Sequence, residues 1–331
     1  MSLYPITFQP QFRERVWGGR RLWELFGKDL PPGRLIGESW EITDRPEGVS
    51  LIGNGPFAGR DLRWLMETHG ADILGRPVAN GERFPWLIKI LDARDDLSLQ
   101  VHPPASKAAA LGGEPKTEAW YFAATEPGAR IYVGLNPGVS RDEFLTRAED
   151  GSVAGCFHVE SPQAGDVMFV PSGRVHALGG GNLVFEVQQN SDTTYRVFDW
   201  NRPGLDGRPR ELHLPASMES IDFTDFSPGL IRSSSDAVGP VRRRTLVRDP
   251  VFRIDEWRLG SGETIPDGCD RGTCCVLAVV GGGLWIRGGG ENVKARAGDF
   301  VLLPAAMEPA ALETTAETTL MQVTLPRENR P

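Results

Sequence analysis

The chain has 331 residues, room for two domains or one large all-β unit, and its 40% hydrophobic and 24% charged residues are those of a globular protein with a core. A net charge of −8 argues against a nucleic-acid partner but leaves room for a small anionic substrate held by a few local Lys and Arg. No run approaches 18 apolar residues, and the first residues lack a charged region followed by an apolar one, so neither a membrane span nor a secretory leader is expected.

Helical signals come early and are few. "RRLWELFG" (Arg20–Gly27) reads as a short helix stopped by glycine, and "GRDLRWLMETHG" (Gly59–Gly70) carries Leu62, Leu65 and Met66 at helical spacing. "SRDEFLTRAED" opens on Ser140 with Glu143 three positions on, a capping box. Strands dominate between and beyond these: "RFPWLIKILDA", "LSLQVH", "EAWYFAA", "ARIYVGL", "GDVMFVP", "NLVFEVQQ" and "TYRVFDW" are short, β-branched or aromatic, and bounded by turns. With 39 glycines and 26 prolines, the rhythm predicts a sandwich or barrel. Between about Leu214 and Pro240 the periodicity fades into Ser, Pro and Asp, a candidate boundary. Strands then resume in "RTLVRDPVFRIDEWRL" and "CCVLAVVGGGLWIRGG". The four cysteines, Cys156, Cys269, Cys274 and Cys275, show no CxxC spacing, and a reducing, cytoplasmic location is expected.

An internal repeat organises the fold. "QAGDVMFVPSGRVHA" (Gln163–Ala177) aligns without gaps to "RAGDFVLLPAAMEPA" (Arg296–Ala310). Gly165-Asp166 matches Gly298-Asp299, and Pro171 matches Pro304. Pro309 stands where the first copy has His176. Two related β-barrel modules are expected, the first alone keeping a ligand-type residue.

That residue lies in "GDVMFVPSGRVH", whose Gly-x5-Pro-x-Gly-x2-His spacing resembles the second half of the cupin signature. Asn182, rather than Gly180, supplies an asparagine nearby. His176 needs partners, and two strands offer them. Ser98, Gln100 and His102 alternate in "LSLQVH", so their side chains share one face; Lys116, Glu118 and Trp120 share another. Such a face usually meets solvent, but the apolar "PWLIKILDA" just upstream favours a polar barrel interior. Gln100, His102, Glu118 and His176 together can form a four-ligand zinc-type site. Lys89, a charge inside an apolar strand, demands an anionic partner. His69, His158 and His213 read as structural or exposed.

"FPWLIKILDARDDLSLQVHPP", "PKTEAWY", "VPSGRVHALGGG" and "VFEVQQNSDTTYRVFDWNR", with "RVWGGRRL" and "IGESWEITDRPEGVS" upstream, resemble the type I phosphomannose isomerases of the short bacterial class. The likeness runs over nearly the whole chain and is densest from Phe84 to Arg202. It implies a mainly β, double-cupin fold: two jelly-roll barrels with a few short helices. It also implies one Zn2+ per chain on Gln100, His102, Glu118 and His176, and a hexose phosphate as partner, with mannose 6-phosphate and fructose 6-phosphate interconverted through an enediol. Lys89, Ser98 and Lys116 would hold phosphate or lie near the sugar, with Trp17 walling the pocket. Arg196 would stabilise developing negative charge. Lys116, Glu186, Asp192 or a metal-held hydroxide could each serve as the base.

The expected division is a catalytic cupin with an N-terminal extension over residues 1–236, then a cupin module without metal ligands over 237–331. Two other readings compete. An iron-dependent cupin oxygenase wants an HxH pair, which Gln100 breaks. A sugar-binding or regulatory double cupin, or a metalloenzyme for another sugar phosphate, is the alternative; intact Lys116, Glu118, His176 and Arg196 argue against loss of catalysis. Neither a monomer nor a homodimer is singled out.

Overall fold

The structure, a computed structural model, describes residues 2–238, 241–268 and 272–326; Pro240 and Cys269, named above, lie outside the described residues. By internal contacts the chain divides into two compact units. One is Phe12–Trp40 with Trp86–Arg232; the other is Met1–Gln11, Glu41–Pro85 and Ser233–Pro331. The units are therefore not the sequential halves 1–236 and 237–331. The second draws in the N-terminus because Ile6–Thr7 pairs antiparallel with Phe300–Leu303, Ile6 opposite Leu302.

Each unit is built on two facing antiparallel sheets. In the first barrel the larger sheet has the order Val167–Val170, Glu118–Thr125, Asn182–Gln189, Trp86–Ala93, Gln11–Gly19, Ile36–Ile42. The smaller has the order Phe157–Glu160, Ile131–Leu135, His176–Leu178, Leu99–Val101, Tyr195–Phe198. Between them Leu91, Trp120, Phe122, Ile131, Val133 and Val184 form one buried cluster. This arrangement places the alternating polar residues of the central strands on an inward face, where they cannot meet bulk water.

The second barrel repeats the order. Its larger sheet runs Ile6–Thr7, Phe300–Leu303, Cys275–Gly281, Thr318–Thr324, Arg253–Leu259, Val241–Arg248, Asp236–Val238. Facing it are Thr264–Ile265, Ala311–Thr314, Gly283–Gly288 and Glu291–Arg296. Trp257, Leu259, Leu277, Leu284, Ile286, Leu312 and Leu320 pack between the two.

The repeated turn is the same object twice. Gly165 and Gly298 have φ of 90° and 87°, a region that favours glycine. The next aspartate folds back each time. Oδ2 of Asp166 accepts the Gln163 amide at 2.9 Å, and Oδ2 of Asp299 accepts the Arg296 amide at 2.9 Å. Each turn launches a four-residue strand, Val167–Val170 or Phe300–Leu303.

The helices follow their caps. Arg21–Phe26 stops at Gly27, φ 61°, and Arg141–Asp150 starts with Ser140 accepting the Glu143 amide at 3.1 Å. Leu62–Leu74 starts at Asp61, which accepts the Trp64 amide at 2.7 Å; it passes through Gly70 and ends at Gly75, φ 74°. Gly70 was the expected stop, but the flanking Met66 and Ile73 are buried, and that burial carries the helix on. The expected irregular stretch after Leu214 contains a further helix, Leu214–Ser220, because Met218 packs into the cluster beneath it.

Candidate metal centre and substrate cleft

The site lies wholly in the first barrel. Leu99–Val101 runs between His176–Leu178 and Tyr195–Phe198, so Gln100 sits opposite His176 on one side and Arg196 on the other. On the facing sheet Glu186 pairs with Lys89 on one side and with Trp120 on the other, and Gln188 pairs with Glu118. Registry alone thus gathers residues that the sequence scatters over about a hundred positions.

Each imidazole is held by its Nδ1 edge. Nδ1 of His102 lies 2.8 Å from the Thr193 carbonyl, and Nδ1 of His176 lies 2.9 Å from the Arg174 carbonyl. A carbonyl only accepts, so Nδ1–H donates in both rings and each Nε2 keeps its lone pair. Both Nε2 atoms face Glu118: His102 at 3.4 Å from Oε2, His176 at 3.5 Å from Oε1. The Gln100 amide lies 3.3 Å from His176 Nε2, and a half-turn of that amide exchanges its nitrogen for its oxygen. Ser98 Oγ steadies it, donating to Gln100 Oε1 at 3.2 Å.

This set fits a tetrahedral metal. Ligands about 2.0–2.1 Å from zinc are themselves roughly 3.3–3.4 Å apart. The His102–Glu118 and His176–Glu118 separations of 3.4 and 3.5 Å agree. The ligand atoms of His102, Glu118 and His176 all lie within 4.8 Å of one another. Both Glu118 oxygens are buried, facing the two Nε2 atoms and the Lys116 ammonium. The electrostatics agree too. Burial, reinforced by the Lys116 charge, pushes the His102 imidazole down to about 3, and burial lowers His176 as well, so both rings are neutral, as a metal ligand must be. Burial opposes the ionisation of Glu118, but the Lys116 charge beside it holds the carboxyl well below its ordinary value. Lys116 Nζ lies 2.6 Å from Glu118 Oε2 and 3.1 Å from His102 Nε2, against the same lone pairs that a metal would use.

Above this cluster opens a cleft of about 540 Å³, lined by Gln100, Ser98, Lys116, Trp17, Lys89, Glu186, Asp192 and Arg196. Every residue expected at the substrate site therefore reaches it. Lys89 finds its anions within the protein: Glu186 at 3.5 Å, Asp192 at 3.6 Å and Glu38 at 4.0 Å. Trp120 Nε1 donates to Glu186 Oε1 at 3.0 Å. Burial, and next the Glu118 charge, raise the Glu186 carboxyl. Arg196 is different. Among the described residues it forms no ion pair with a carboxylate, its Nη1 donates to the Glu211 carbonyl at 2.7 Å, and its Nε is buried without a partner. His213, read as structural, braces this arginine: its Nδ1 accepts the Arg196 amide at 3.2 Å.

Sequence reading missed several wall residues, Glu38, Arg15, Arg210 and Leu205 among them. Glu38 is held at about 2 by Lys89 and Arg15 against the opposing effect of burial. Arg15 clamps it, Nε to Oε1 at 2.8 Å. Arg210, paired with Asp199, and Leu205 come from the segment after Trp200. The alternation Arg13, Arg15, Trp17 was the available signal for an inward face on that strand; nothing local marks Arg210.

Comparison with known proteins places this geometry. Residues 6–127 match the model of the phosphomannose isomerase type I catalytic domain. Mannose-6-phosphate isomerase ManA of Bacillus subtilis is 36% identical over 310 residues, 92% of this chain and 94% of that protein. Mannose-6-phosphate isomerase of Streptococcus mutans is 34% identical over 91% of this chain and 92% of its own length. The crystal structure of the Bacillus subtilis mannose 6-phosphate isomerase superposes with a TM-score of 0.86 at 32% identity, covering 98% of this chain and 99% of that one. A zinc-bound mannose 6-phosphate isomerase at 17% identity and TM-score 0.74 shares the fold. A match of this extent, over a zinc-type cluster at the floor of a charged cleft, establishes the chain as a member of the type I phosphomannose isomerase family.

Proposed function

We infer that the protein is a zinc-dependent aldose–ketose isomerase that interconverts mannose 6-phosphate and fructose 6-phosphate. The observation that carries this is the pair of imidazoles fixed through Nδ1, their Nε2 atoms aimed at the buried carboxylate of Glu118 below the cleft. Gln100, His102, Glu118 and His176 would hold the metal, which when bound supplies a Lewis acid for the sugar's carbonyl and hydroxyl oxygens.

The protein's own groups move the proton between C1 and C2. Glu186 is the best placed base: it is a cleft carboxyl whose affinity for a proton is raised, and a base works best when its pKa lies near the working pH. Lys89, bridging Glu186 and Asp192, keeps these carboxylates from repelling the dianionic substrate. Lys116 reaches both the cluster and the cleft, and serves as the proton donor to oxygen. Arg196, the cleft cation without a carboxylate partner, meets the substrate's negative charge together with Ser98, while Trp17 closes the apolar wall. No helix among the described residues is long and apolar enough to cross a membrane. Buried Cys156, free of a disulfide, suits work in a reducing cytoplasm.

The test joins metal analysis to an isomerase assay on mannose 6-phosphate. Stoichiometric zinc with turnover, both lost in His176→Ala, is expected. Zinc bound without turnover on mannose 6-phosphate would overturn the assignment.

A further inference from the structure

The second barrel has lost the metal positions but not its polar interior. The two larger sheets can be aligned by register. Val170 and Leu303, each five residues after the repeated glycine, lie opposite Glu118 and Cys275. Glu186 faces Trp120 and Lys89; Gln322 faces Leu277 and Asp255. Asp255 and Gln322 therefore occupy, in the second barrel, the places that Lys89 and Glu186 hold in the cleft of the first.

Around them stands a partly satisfied polar set. Trp257 and Leu320 belong to the barrel's inner cluster, and strand alternation puts Asp255 and Gln322 on that same face. Asp255 is saturated: it accepts Thr245 Oγ1 at 2.7 Å, Arg243 Nη2 at 2.9 Å and Arg253 Nη2 at 3.2 Å. Two guanidiniums on one carboxylate leave a positive charge over. Gln322 spends its amide nitrogen on the Gly268 carbonyl at 3.3 Å, and among the described residues its Oε1 is buried without a partner. Among the same residues Arg243 Nε and Trp257 Nε1 are buried donors without acceptors. Each such group weakens the fold if nothing ever bonds to it. Asp255 and Gln322 are each 1% exposed, while the side chains of Arg243 and Arg253 are 27% and 33% exposed.

We propose that this end of the second barrel is a metal-free binding site for a small hydroxylated oxyanion, either a sugar phosphate or a hydroxycarboxylate. The surplus guanidinium charge and the Arg243 and Trp257 N–H groups would take the anion. Gln322 Oε1 would accept from a hydroxyl.

The test is calorimetric titration of the zinc-loaded full chain with mannitol 1-phosphate and, separately, citrate, alongside the isomerase assay. Two molecules of at least one probe per wild-type chain are expected, the tighter probe naming the source. Gln322→Leu and Trp257→Phe should each weaken one of the two by roughly tenfold or more, leaving turnover as in the wild type. Arg243→Met should abolish it; Trp257→Phe and Gln322→Leu preserve packing if that variant does not fold. A single molecule of both probes per wild-type chain, or two undiminished in the Gln322 and Trp257 variants, overturns the proposal. A second site without any isomerase activity would leave this inference standing and remove the function assigned to the first barrel.

Discussion

The two barrels share a turn, a sheet order and a register, yet among the described residues one has the makings of a metal centre and the other does not. The difference is confined to a few inward positions. Glu118 has Cys275 as its counterpart, His176 has Pro309, and the Lys89–Glu186 pair has Asp255–Gln322. The apolar rows between them are interchangeable in kind: Leu91 and Val184 in one, Trp257 and Leu320 in the other. The lesson is that the barrel is specified by turns and an apolar face, whereas chemistry depends on what stands at four or five floor positions.

The comparison can be broken most severely at its largest difference. His176→Ala should abolish stoichiometric zinc and lower kcat/KM by roughly 10³-fold or more, since a Lewis acid is worth several kcal/mol in the transition state. Elemental analysis and the isomerase assay read both losses, and chelation should reproduce them. Lys116→Met should separate the cluster's two cations. Zinc affinity is expected to hold or tighten, because the competing ammonium 2.6 Å from Glu118 is gone, while kcat falls about 10²–10⁴-fold. Loss of zinc in this variant would make Lys116 a support of the cluster rather than its competitor.

A smaller effect concerns acid stability. Glu38 is lowered from 4.5 to about 2 in the folded chain, so the unfolded chain binds its proton first as pH falls. The stabilisation this gives is full above about 4.5, is lost between there and about 2, and amounts to about 3 kcal/mol. Glu38→Gln should therefore flatten the acid limb of a denaturation-midpoint profile across that window; an unchanged limb would show that Lys89 and Arg15 find other partners. The smallest effect tests the second barrel. Pro309→His restores the imidazole at the repeat position, but Cys275 stands where the first barrel has Glu118, so zinc should stay at one per chain by elemental analysis.

Much of this was legible in the chain. The period-two alternation of Ser98, Gln100 and His102, and of Lys116, Glu118 and Trp120, assigns each trio to one face whatever the fold. The gapless repeat gave both barrels, because a tight turn needs glycine at φ near 90° followed by a side chain that can fold back on the amide. The glycine run after His176 is steric: a Cβ on Gly179 would come within 2.2 Å of the Arg130 carbonyl. Other features left no local mark. Arg210 enters the cleft from a loop without periodicity, and Glu38 becomes significant only when Arg15 and Lys89 are brought to it. The helix at Leu214–Ser220 depends on the surface that Met218 finds to cover.

The strands, the faces of their side chains, the two-barrel plan and the candidate ligands follow from short-range spacing and from residues kept together within a motif. Which partner each charge meets is settled in the folded chain. Lys89, read as a cation awaiting an anion, is surrounded by three carboxylates, while Arg196 pairs with none among the described residues. The physical reason is that strand pairing joins positions about a hundred residues apart. Electrostatic compensation in a buried cleft is set by those neighbours and not by the residues adjacent in the chain.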